Sequence, residues 1–386
     1  MSISIEAPAR IRLGMVGGGQ GAFIGAVHRL AARMDDQFTL VAGALSSSPE
    51  KARASAAELG LAPDRGYASW AEMLAAEAKR TDGMQAVAIV TPNSSHFAIA
   101  KAALEAGFHV ICDKPLTTTS ADARALVDIV ERSGRVFVLT HNYTGYPMIR
   151  QARAMVGGGQ LGEIRVVQAE YPQAWLTESL EATGQKQASW RTDPAQSGAG
   201  GCIGDIGTHA FNLACFVTGL SPEAVLAELT TFVAGRRLDD NAHVLVRFAS
   251  GARGMLWASQ VAPGNENGLR LRVYGSKGGL AWAQEDPNYL WVTLLGQPTV
   301  RYTRGGDGAL PEAARVTRTP FGHPEGYLEG FANIYQEAAR AIRAHAEQQA
   351  AAPDVLYPTV HDGWLGVRFI EATVESSARG NVWVAL

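Results

Sequence analysis

The sequence predicts an α/β domain with a doubly wound parallel sheet over residues 1–142, followed by an α+β domain with a large, mainly antiparallel open sheet over residues 143–386. Three observations support this fold class. A chain of 386 residues is long for one core and comfortable for two domains. Apolar runs alternate with helical patterns in the first part of the chain. In the second part, strand-like runs follow one another at hairpin distance.

The composition restricts the class of protein and its partners. Hydrophobic residues make up 47% of the chain and charged residues 18%, as in a globular protein with large cores. The formal net charge is −3, and the lysines and arginines form no runs of the kind that bind nucleic acid. The sequence shows neither a secretory signal nor the roughly 18 consecutive apolar residues of a membrane span. We therefore expect a cytoplasmic protein whose partner is a small molecule, not nucleic acid or a membrane.

The first domain is predicted from five apolar runs. These runs are residues 11–16, 38–45, 86–90, 108–112 and 135–140. Helical patterns follow the first four runs, over residues 22–34, the segment after 46–49, 94–106 and 120–132. Strands that alternate with helices at this spacing require right-handed crossovers, and the sheet is therefore parallel.

The turn after the first run is rich in glycine. Gly17, Gly19 and Ala22 fit the pattern G-x-G-x-x-A, with Gln20 inside the turn and Phe23 and Ile24 at the start of the following helix. Such a turn brings backbone amides and a helix N-terminus close to a pyrophosphate. An ordinary flexible turn is the alternative. The position of this turn, after the first strand and before a helix, favours a Rossmann dinucleotide site.

The ends of the other strands supply further candidates for cofactor binding, because ligands of such sheets lie beyond the carboxyl ends of the strands. After the second run, no carboxylate is present to bind a ribose 2′-hydroxyl or repel a 2′-phosphate, so the cofactor is predicted as NAD or NADP. The candidates are Ser46, Ser47 and Lys51 after the second run, Thr91, Pro92, Asn93 and His96 after the run 86–90, and Asp113 and Lys114 after the run 108–112.

The second domain is predicted mainly from strands. Its strand-like runs are residues 163–171, 224–234, 242–249, 252–260, 269–276, 279–283 and 289–295. Its helical patterns are residues 147–156, 205–218, 324–345 and 359–378. The helices can cover one face of the sheet. The other face has no helical cover, and it therefore predicts a homo-oligomer, a dimer or a tetramer.

Asp205 and His209 stand four residues apart at the start of the predicted helix 205–218, after a glycine-rich loop. Residues i and i+4 share one face of a helix, so the carboxylate and the imidazole should point into the same space. Three other interpretations remain open: Asp205 as a helix N-cap, His209 as a core histidine, or both as metal ligands. No third ligand stands at a recognisable spacing, and the three cysteines form no CxxC pair, so we predict no metal site.

Four motifs in this order resemble the Gfo/Idh/MocA oxidoreductases, the family of glucose–fructose oxidoreductase and inositol dehydrogenase. They are the glycine turn, Thr-Pro-Asn-x-x-His at 91–96, Asp-Lys-Pro at 113–115, and Gly-Gly-x-x-x-Asp-x-Gly-x-His at 200–209. The resemblance covers essentially the whole chain. Two departures stand out: Asp113, where the family usually has glutamate, and the stretch 23–28, which makes the first turn about three residues longer than the common form.

The resemblance implies an NAD(P)-dependent dehydrogenase or reductase that acts on a secondary hydroxyl or ketone of a sugar, cyclitol or related polyol. It places Lys114, Asp205 and His209 around the reacting hydroxyl. In this interpretation His209 accepts the proton, Asp205 orients the substrate and holds the protonated imidazole, and Lys114 polarises the oxygen. The candidates for substrate binding are Asn142, Tyr143, Trp175, Trp190, Arg191 and His323.

Two other functions remain open at this point. A branch of the family consists of glycosidases that retain their nicotinamide, and a cofactor-binding protein without catalysis would show the same glycine turn. The sequence contains no additional carboxylate pair at a recognisable spacing for glycoside cleavage, which favours the dehydrogenase.

Overall fold

The structure is a computed structural model that describes residues 9–386. Its first domain contains a five-stranded sheet in the order β2-β1-β3-β4-β5, in which all neighbouring strands are parallel. The strands are β1 (Ile11–Gly17), β2 (Phe38–Ala44), β3 (Ala86–Val90), β4 (His109–Cys112) and β5 (Phe137–Leu139). The predicted doubly wound sheet is confirmed. Its strand order reverses direction between β1 and β3, which opens a crevice at their carboxyl ends.

Five helices connect and cover these strands. They are α1 (Phe23–Met34), α2 (Pro49–Glu58), α3 (Trp70–Glu77), α4 (His96–Glu105) and α5 (Ser120–Ser133). Hydroxyl N-caps define three of the starts, because Ser48, Ser69 and Thr119 each accept a hydrogen bond from the backbone N–H three residues later. Helix α3 was not predicted, because it has only eight residues and little amphipathic character of its own.

The second domain is built on a nine-stranded sheet in the order β13-β12-β11-β10-β6-β9-β8-β7-β14. Its strands are β6 (Ile164–Pro172), β7 (Pro222–Thr230), β8 (Asn241–Phe248), β9 (Arg253–Ser259), β10 (Arg270–Gly275), β11 (Gly278–Ala283), β12 (Tyr289–Leu294), β13 (Val300–Thr303) and β14 (Val384–Ala385). Only the β6–β9 pair is parallel within the described sheet, so the prediction of a mainly antiparallel sheet is confirmed. The short edge strands β13 and β14 were not predicted.

Seven helices belong to the second part of the chain. They are α6 (Pro147–Gly157), α7 (Lys186–Arg191), α8 (Pro194–Ser197), α9 (Thr208–Thr218), α10 (Pro311–Ala314), α11 (Tyr327–Ala346) and α12 (Val360–Ala378). Helices α6, α9 and α12 pack on one face of the nine-stranded sheet, where Phe211 stacks on Phe369 with ring centroids 4.0 Å apart. No helix among residues 9–386 has the length and apolar character needed to cross a bilayer.

The last two long helices also contribute to the core of the first domain. Phe331 and Tyr335 of α11 are buried against α1 and the parallel sheet. Val360 and Val367 of α12 join the apolar cluster on the other face of that sheet. The chain therefore returns to its first domain after building the second, and the two domains share helices that hold them in contact.

Candidate active site

The glycine turn after β1 has the backbone that only glycine adopts readily. Gly17 and Gly18 have φ values of 83° and 73°. A Cβ on Gly25 would lie 2.3 Å from the Cα of Gly18, so α1 packs on the turn through a glycine-to-glycine contact. Ala22, the last residue of the G-x-G-x-x-A pattern, precedes α1 with extended backbone, because this turn is longer than the common form.

The same turn leaves the start of α1 open. The amides of Gly19 and Gln20 donate to Leu45 O and to Ser55 Oγ, which ties the turn to the end of β2 and to α2. At Gly21, with φ of 75°, no atom lies within 4 Å of the place where a Cβ would stand. A pyrophosphate can therefore approach the turn and the N-terminus of α1 without meeting a side chain.

The predicted cofactor residues at the other strand ends fall into two groups. Ser46, Ser47 and Lys51 lie beyond the carboxyl end of β2, and Ser47 and Lys51 are exposed. In contrast, His96 is fully buried, with Nδ1 2.8 Å from Pro115 O and Nε2 2.9 Å from Thr91 O. The structure thus gives His96 a role in joining two loops, which differs from the predicted contact with the cofactor.

Two more of the predicted cofactor residues also hold the protein together. Asn93 donates from Nδ2 to Ser197 O, a contact between the loop after β3 and the second domain. The carboxylate of Asp113 accepts hydrogen bonds from the amide of Lys114 and from Thr140 Oγ1, so it braces the ends of β4 and β5. Pro92 lies in the exposed part of the loop after β3.

Lys114 and Asp205 form a direct ion pair between the two domains. Lys114 follows β4, and its peptide bond to Pro115 is cis. Its Nζ lies 3.0 Å from Asp205 Oδ1 and also donates to the backbone carbonyl of Asp205. Asp205 lies inside a π-helical turn, Ile203–Gly207, that leads into α9 without a break. Asp205 is therefore not a helix N-cap, and its carboxylate is free to bind other side chains.

Two further side chains bind the Asp205 carboxylate through Oδ2. Arg191 Nε donates at 3.1 Å and Gln260 Nε2 donates at 2.8 Å. Burial by itself raises the pKa of Asp205, but the charges of Lys114 and Arg191 outweigh burial and lower the pKa below its ordinary value. Asp205 is therefore an ionised anchor for the two cations and not a proton donor.

The imidazole of His209 pairs with a second histidine and not with Asp205. Nδ1 of His209 lies 3.3 Å from Nδ1 of His141, and both residues are buried. Burial, followed by the charge of Lys114, lowers the pKa of both rings, to about 3 for His141. His209 is therefore neutral near pH 7. The predicted contact between Asp205 and the imidazole is not observed, because Lys114, Arg191 and Gln260 occupy the carboxylate.

A chain of hydroxyl groups lies beside the histidines. The hydroxyls of Tyr143 and Tyr171 lie 2.5 Å apart, and Tyr171 donates to Asn267 Oδ1 at 2.7 Å. The ring centroid of Tyr143 lies 4.9 Å from that of His209. Within residues 9–386, the buried Nδ2 of Asn142 has no hydrogen-bond partner. Because an unpaired buried donor is costly, Asn142 fits a position that a bound molecule completes.

The other predicted substrate residues lie at different distances from this cluster. Trp175 and Trp190, two of the predicted substrate residues, lie beside Arg191, whose guanidinium is 4.3 Å from the ring centroid of Trp190 and 5.9 Å from that of Trp175. The indoles thus hold Arg191 in place against Asp205. His323 is exposed and lines a cleft of about 480 Å³ together with Tyr146 and Tyr327, which both pack against Tyr143.

The loop before Asp205 is shaped by a buried carboxylate. Asp239 accepts hydrogen bonds from the amides of Gly201 and Ile203 and from Cys202 Sγ. A Cβ on Gly201 would lie 2.1 Å from the carbonyl oxygen of Asp239, so only glycine fits there. These contacts set the entry of the chain into the π-helical turn and hence the direction of the Asp205 side chain.

Four members of the cluster were not predicted from the sequence, namely His141, Tyr171, Gln260 and Asn267. A signal existed for His141, which directly precedes the predicted residues Asn142 and Tyr143 at the end of β5. No local pattern marks the other three, because each comes from an ordinary strand end or loop of the second domain.

The fold and the site together define a class of protein. A glycine turn at the switch point of a doubly wound sheet brings a dinucleotide to the edge where Lys114 emerges, and the second domain presents Asp205 and a neutral imidazole to the same place. Two-domain dinucleotide-dependent oxidoreductases have this arrangement.

Family models identify the group within this class. Residues 11–141 match the oxidoreductase family with an NAD-binding Rossmann fold, and residues 149–281 match the GFO/IDH/MocA C-terminal domain. The chain belongs to the Gfo/Idh/MocA oxidoreductase family, as its motifs predicted.

Similar proteins match over nearly the whole chain. An oxidoreductase from Sinorhizobium meliloti is 58% identical, with a TM-score of 0.88, over 98% of this chain and 100% of that one. An inositol dehydrogenase homolog from Azotobacter vinelandii, solved with NADH and myo-inositol, is 39% identical, with a TM-score of 0.92, over 98% of each chain. The levoglucosan dehydrogenase of Pseudarthrobacter phenanthrenivorans is 28% identical over 97% of each chain.

Proposed function

We propose that the protein transfers a hydride between nicotinamide and a secondary hydroxyl or ketone of a sugar, a cyclitol or a related polyol. The observation that carries this proposal is the meeting of Lys114, ionised Asp205 and neutral His209 at the carboxyl edge of the parallel sheet. The substrates of the inositol and levoglucosan relatives belong to the same chemical class, which supports the choice.

The residues present fit a nicotinamide cofactor. The open space at Gly21 and the N-terminus of α1 suit its pyrophosphate, and the unpaired amide of Asn142 provides a donor near the reacting end. Ser46, Ser47 and Lys51 are proposed to contact the adenosine ribose, since they follow β2. When bound, the cofactor supplies the hydride acceptor for alcohol oxidation.

Three side chains of the cluster have different roles in the proposed reaction. Nε2 of His209 accepts the hydroxyl proton, for which a neutral imidazole is suited. The ammonium of Lys114 stabilises negative charge that develops on the substrate oxygen. Asp205 orients Lys114 and Arg191 through Oδ1 and Oδ2. The remaining substrate contacts are proposed for Asn142, Tyr143 and Arg191 near the reacting centre, and for Trp175, Trp190 and His323 further out.

One experiment distinguishes this function from its alternatives. The purified protein is offered monosaccharides, inositols and aryl glycosides with NAD and with NADP, and reduced cofactor and released aglycone are both followed. We expect reduced cofactor in proportion to the polyol consumed, because a dehydrogenase leaves the hydride on the nicotinamide. A glycosidase that retains its nicotinamide releases aglycone without stoichiometric reduced cofactor, and a binding protein gives neither signal. Either of these results contradicts the proposal.

The end of β2 predicts weak discrimination between NAD and NADP. It carries neither the carboxylate that repels a 2′-phosphate nor an arginine that binds one. We expect the two dissociation constants to agree within about tenfold, measured by fluorescence titration. The variant Ser46→Asp should weaken the binding of NADP alone, since a carboxylate just after β2 repels a 2′-phosphate. A preference of about a hundredfold in the parent protein contradicts this prediction.

We also propose that the open face of the nine-stranded sheet binds a second copy of the chain. Leu245 on β8 is directly paired with Met255 on β9, and their side chains are 46% and 47% exposed. Val166 on β6, Tyr274 on β10 and Trp291 on β12 are exposed as well. Exposed apolar side chains on a sheet face that has no helical cover are typical of an interface.

A charged residue in this face should separate the copies. We expect Met255→Glu to reduce the mass in solution, measured by light scattering, to that of a single chain, because an unpaired carboxylate at the centre of an interface is strongly unfavourable. The control Phe232→Glu changes an exposed apolar residue in a loop and should leave the mass unaltered. A single-chain mass for the parent protein rules out the interface.

A cytoplasmic location is proposed as well, since the three cysteines are unpaired.

A further inference from the structure

His141 and His209 form a pair whose hydrogen bond has two alternative directions. Their Nδ1 atoms lie 3.3 Å apart, and the ring planes are inclined at 84°. A hydrogen bond between two imidazole nitrogens needs one proton, so one ring donates Nδ1–H and the other accepts. Since a neutral imidazole has a single N–H, the direction of this bond also decides which ring has an unprotonated Nε2.

Only one of the two directions makes His209 a base. If His141 donates, His209 carries its own proton on Nε2 and cannot accept another there. If His209 donates, its Nε2 is unprotonated, and His141 carries a proton on Nε2. Within residues 9–386, neither Nε2 atom makes a hydrogen bond and neither is a fully buried unpaired atom, so each has access to the space beside the ring.

We propose that His141 sets the tautomer of His209 and carries the hydroxyl proton out of the active site, an inference that rests on the proposed function. The substrate O–H proton passes to Nε2 of His209 as the hydride leaves carbon for the nicotinamide. The Nδ1 proton of His209 passes to Nδ1 of His141, and the Nε2 proton of His141 passes to water. After the product leaves, water returns a proton to Nε2 of His141, the Nδ1 proton of His141 passes back to Nδ1 of His209, and the Nε2 proton of His209 passes to water, which restores both tautomers.

The surroundings of the pair favour two neutral rings over one that retains a proton. Burial and then the charge of Lys114 lower the pKa of both histidines. An imidazolium that forms during the reaction beside this ammonium is therefore short-lived, and the proton needs an acceptor. His141 is the acceptor that touches His209 directly.

The other polar groups that face the pair do not compete for this proton. The ring centroids of Tyr143 and Tyr171 lie 4.9 and 6.2 Å from that of His209, and burial raises the pKa of both phenols. The Asp205 carboxylate is held by Lys114 and Arg191, and its pKa is lowered. Only the second imidazole both contacts His209 and takes up and releases protons through two nitrogens.

Two substitutions at one position separate a relay from a merely structural contact. In His141→Gln, the amide oxygen still accepts from Nδ1 of His209 but cannot pass a proton on, and we expect kcat to fall about tenfold with the KM values unchanged. Added imidazole should restore the rate of His141→Gln in proportion to its concentration. In His141→Phe, the partner at Nδ1 is also lost, and we expect a fall of about a hundredfold. A kcat of His141→Gln within about twofold of the parent, or a loss that imidazole does not relieve, overturns the relay.

A second measurement does not depend on turnover. With ¹⁵N-labelled histidine, the nitrogen shifts at pH 7 should show His209 as the neutral Nδ1–H tautomer and His141 as the neutral Nε2–H tautomer. The reverse assignment, or a charged ring, overturns the proposal. If the parent protein oxidises no polyol, the proposed function fails, while the tautomers still decide the role of His141. If the parent is active and His141→Gln is normal, only the relay fails.

Discussion

Substitution of Lys114 by methionine is expected to lower kcat by at least about a hundredfold, with little change in the affinity for the cofactor. Methionine retains most of the length of the side chain but removes the ammonium that lies 3.0 Å from Asp205 Oδ1. The developing charge on the substrate oxygen then has no cation beside it. Steady-state kinetics with the polyol identified by the panel, together with fluorescence titration of NAD, measures both quantities.

The pH dependence provides an internal check on this prediction. The charge of Lys114 contributes to lowering the pKa of His209 and His141, so its removal raises the pKa of both rings. A base must be neutral to accept a proton, and the acid limb of the kcat profile should therefore move to higher pH in Lys114→Met. Lys114→Arg keeps the charge and should leave that limb in place, even if kcat falls.

A matched control tests whether the effect depends on the position of the charge. Lys101 lies on the exposed face of α4, where it interacts only weakly with Glu105, and Lys101→Met should leave kcat unchanged. A kcat of Lys114→Met within about threefold of the parent would refute the role of Lys114.

The second large effect is expected at His209. His209→Gln should lower kcat by about a hundredfold or more. The amide of glutamine can still form a hydrogen bond with His141, but it has no nitrogen that takes up a proton. The KM for NAD should change little, since the residue lies in the second domain. Rates measured over a range of pH distinguish a lost base from a displaced substrate, because only the former flattens the acid limb of the profile.

Stability must be separated from catalysis for this variant, as His209 is buried. Thermal unfolding monitored by circular dichroism should show that His209→Gln remains folded at the assay temperature. The control His361→Gln alters an exposed histidine of α12 that lies 3.6 Å from Glu131, and its kcat should equal that of the parent. A folded His209→Gln protein with normal turnover would remove His209 from the mechanism.

The elements of the parallel sheet were predictable because their signals are local. Strand β3 is a run of five buried apolar residues, and α5 begins at a threonine cap and ends at Gly134 with φ of 63°. The glycine turn was recognised from its place between a strand and a helix. Its internal geometry was not, because the packing of Gly25 on Gly18 depends on where α1 begins.

The composition of the active site was only partly predictable. Lys114, Asp205 and His209 stand in motifs, and the structure brings them together from strands and helices far apart in the chain. Gln260 binds Asp205 across 55 residues, and His141 binds His209 across 68 residues, without any pattern that links them. The same holds for Arg191, whose partner Asp205 could not be derived from the residues that surround it in the sequence.

The sequence by itself determined the order of the longer strands and helices, the family and the three residues of the predicted catalytic group, because periodicity, caps and glycine turns act over a few residues. Tertiary structure decided which side chain each of those residues touches. Asp205 binds two cations and an amide instead of His209, and His209 binds His141, because buried charges and imidazoles take the partners that folding brings within reach. Tertiary structure also decided that α11, from the end of the chain, completes the core of the first domain. The apolar face of α11 is buried there against α1 and the parallel sheet, because burial removes apolar surface from water.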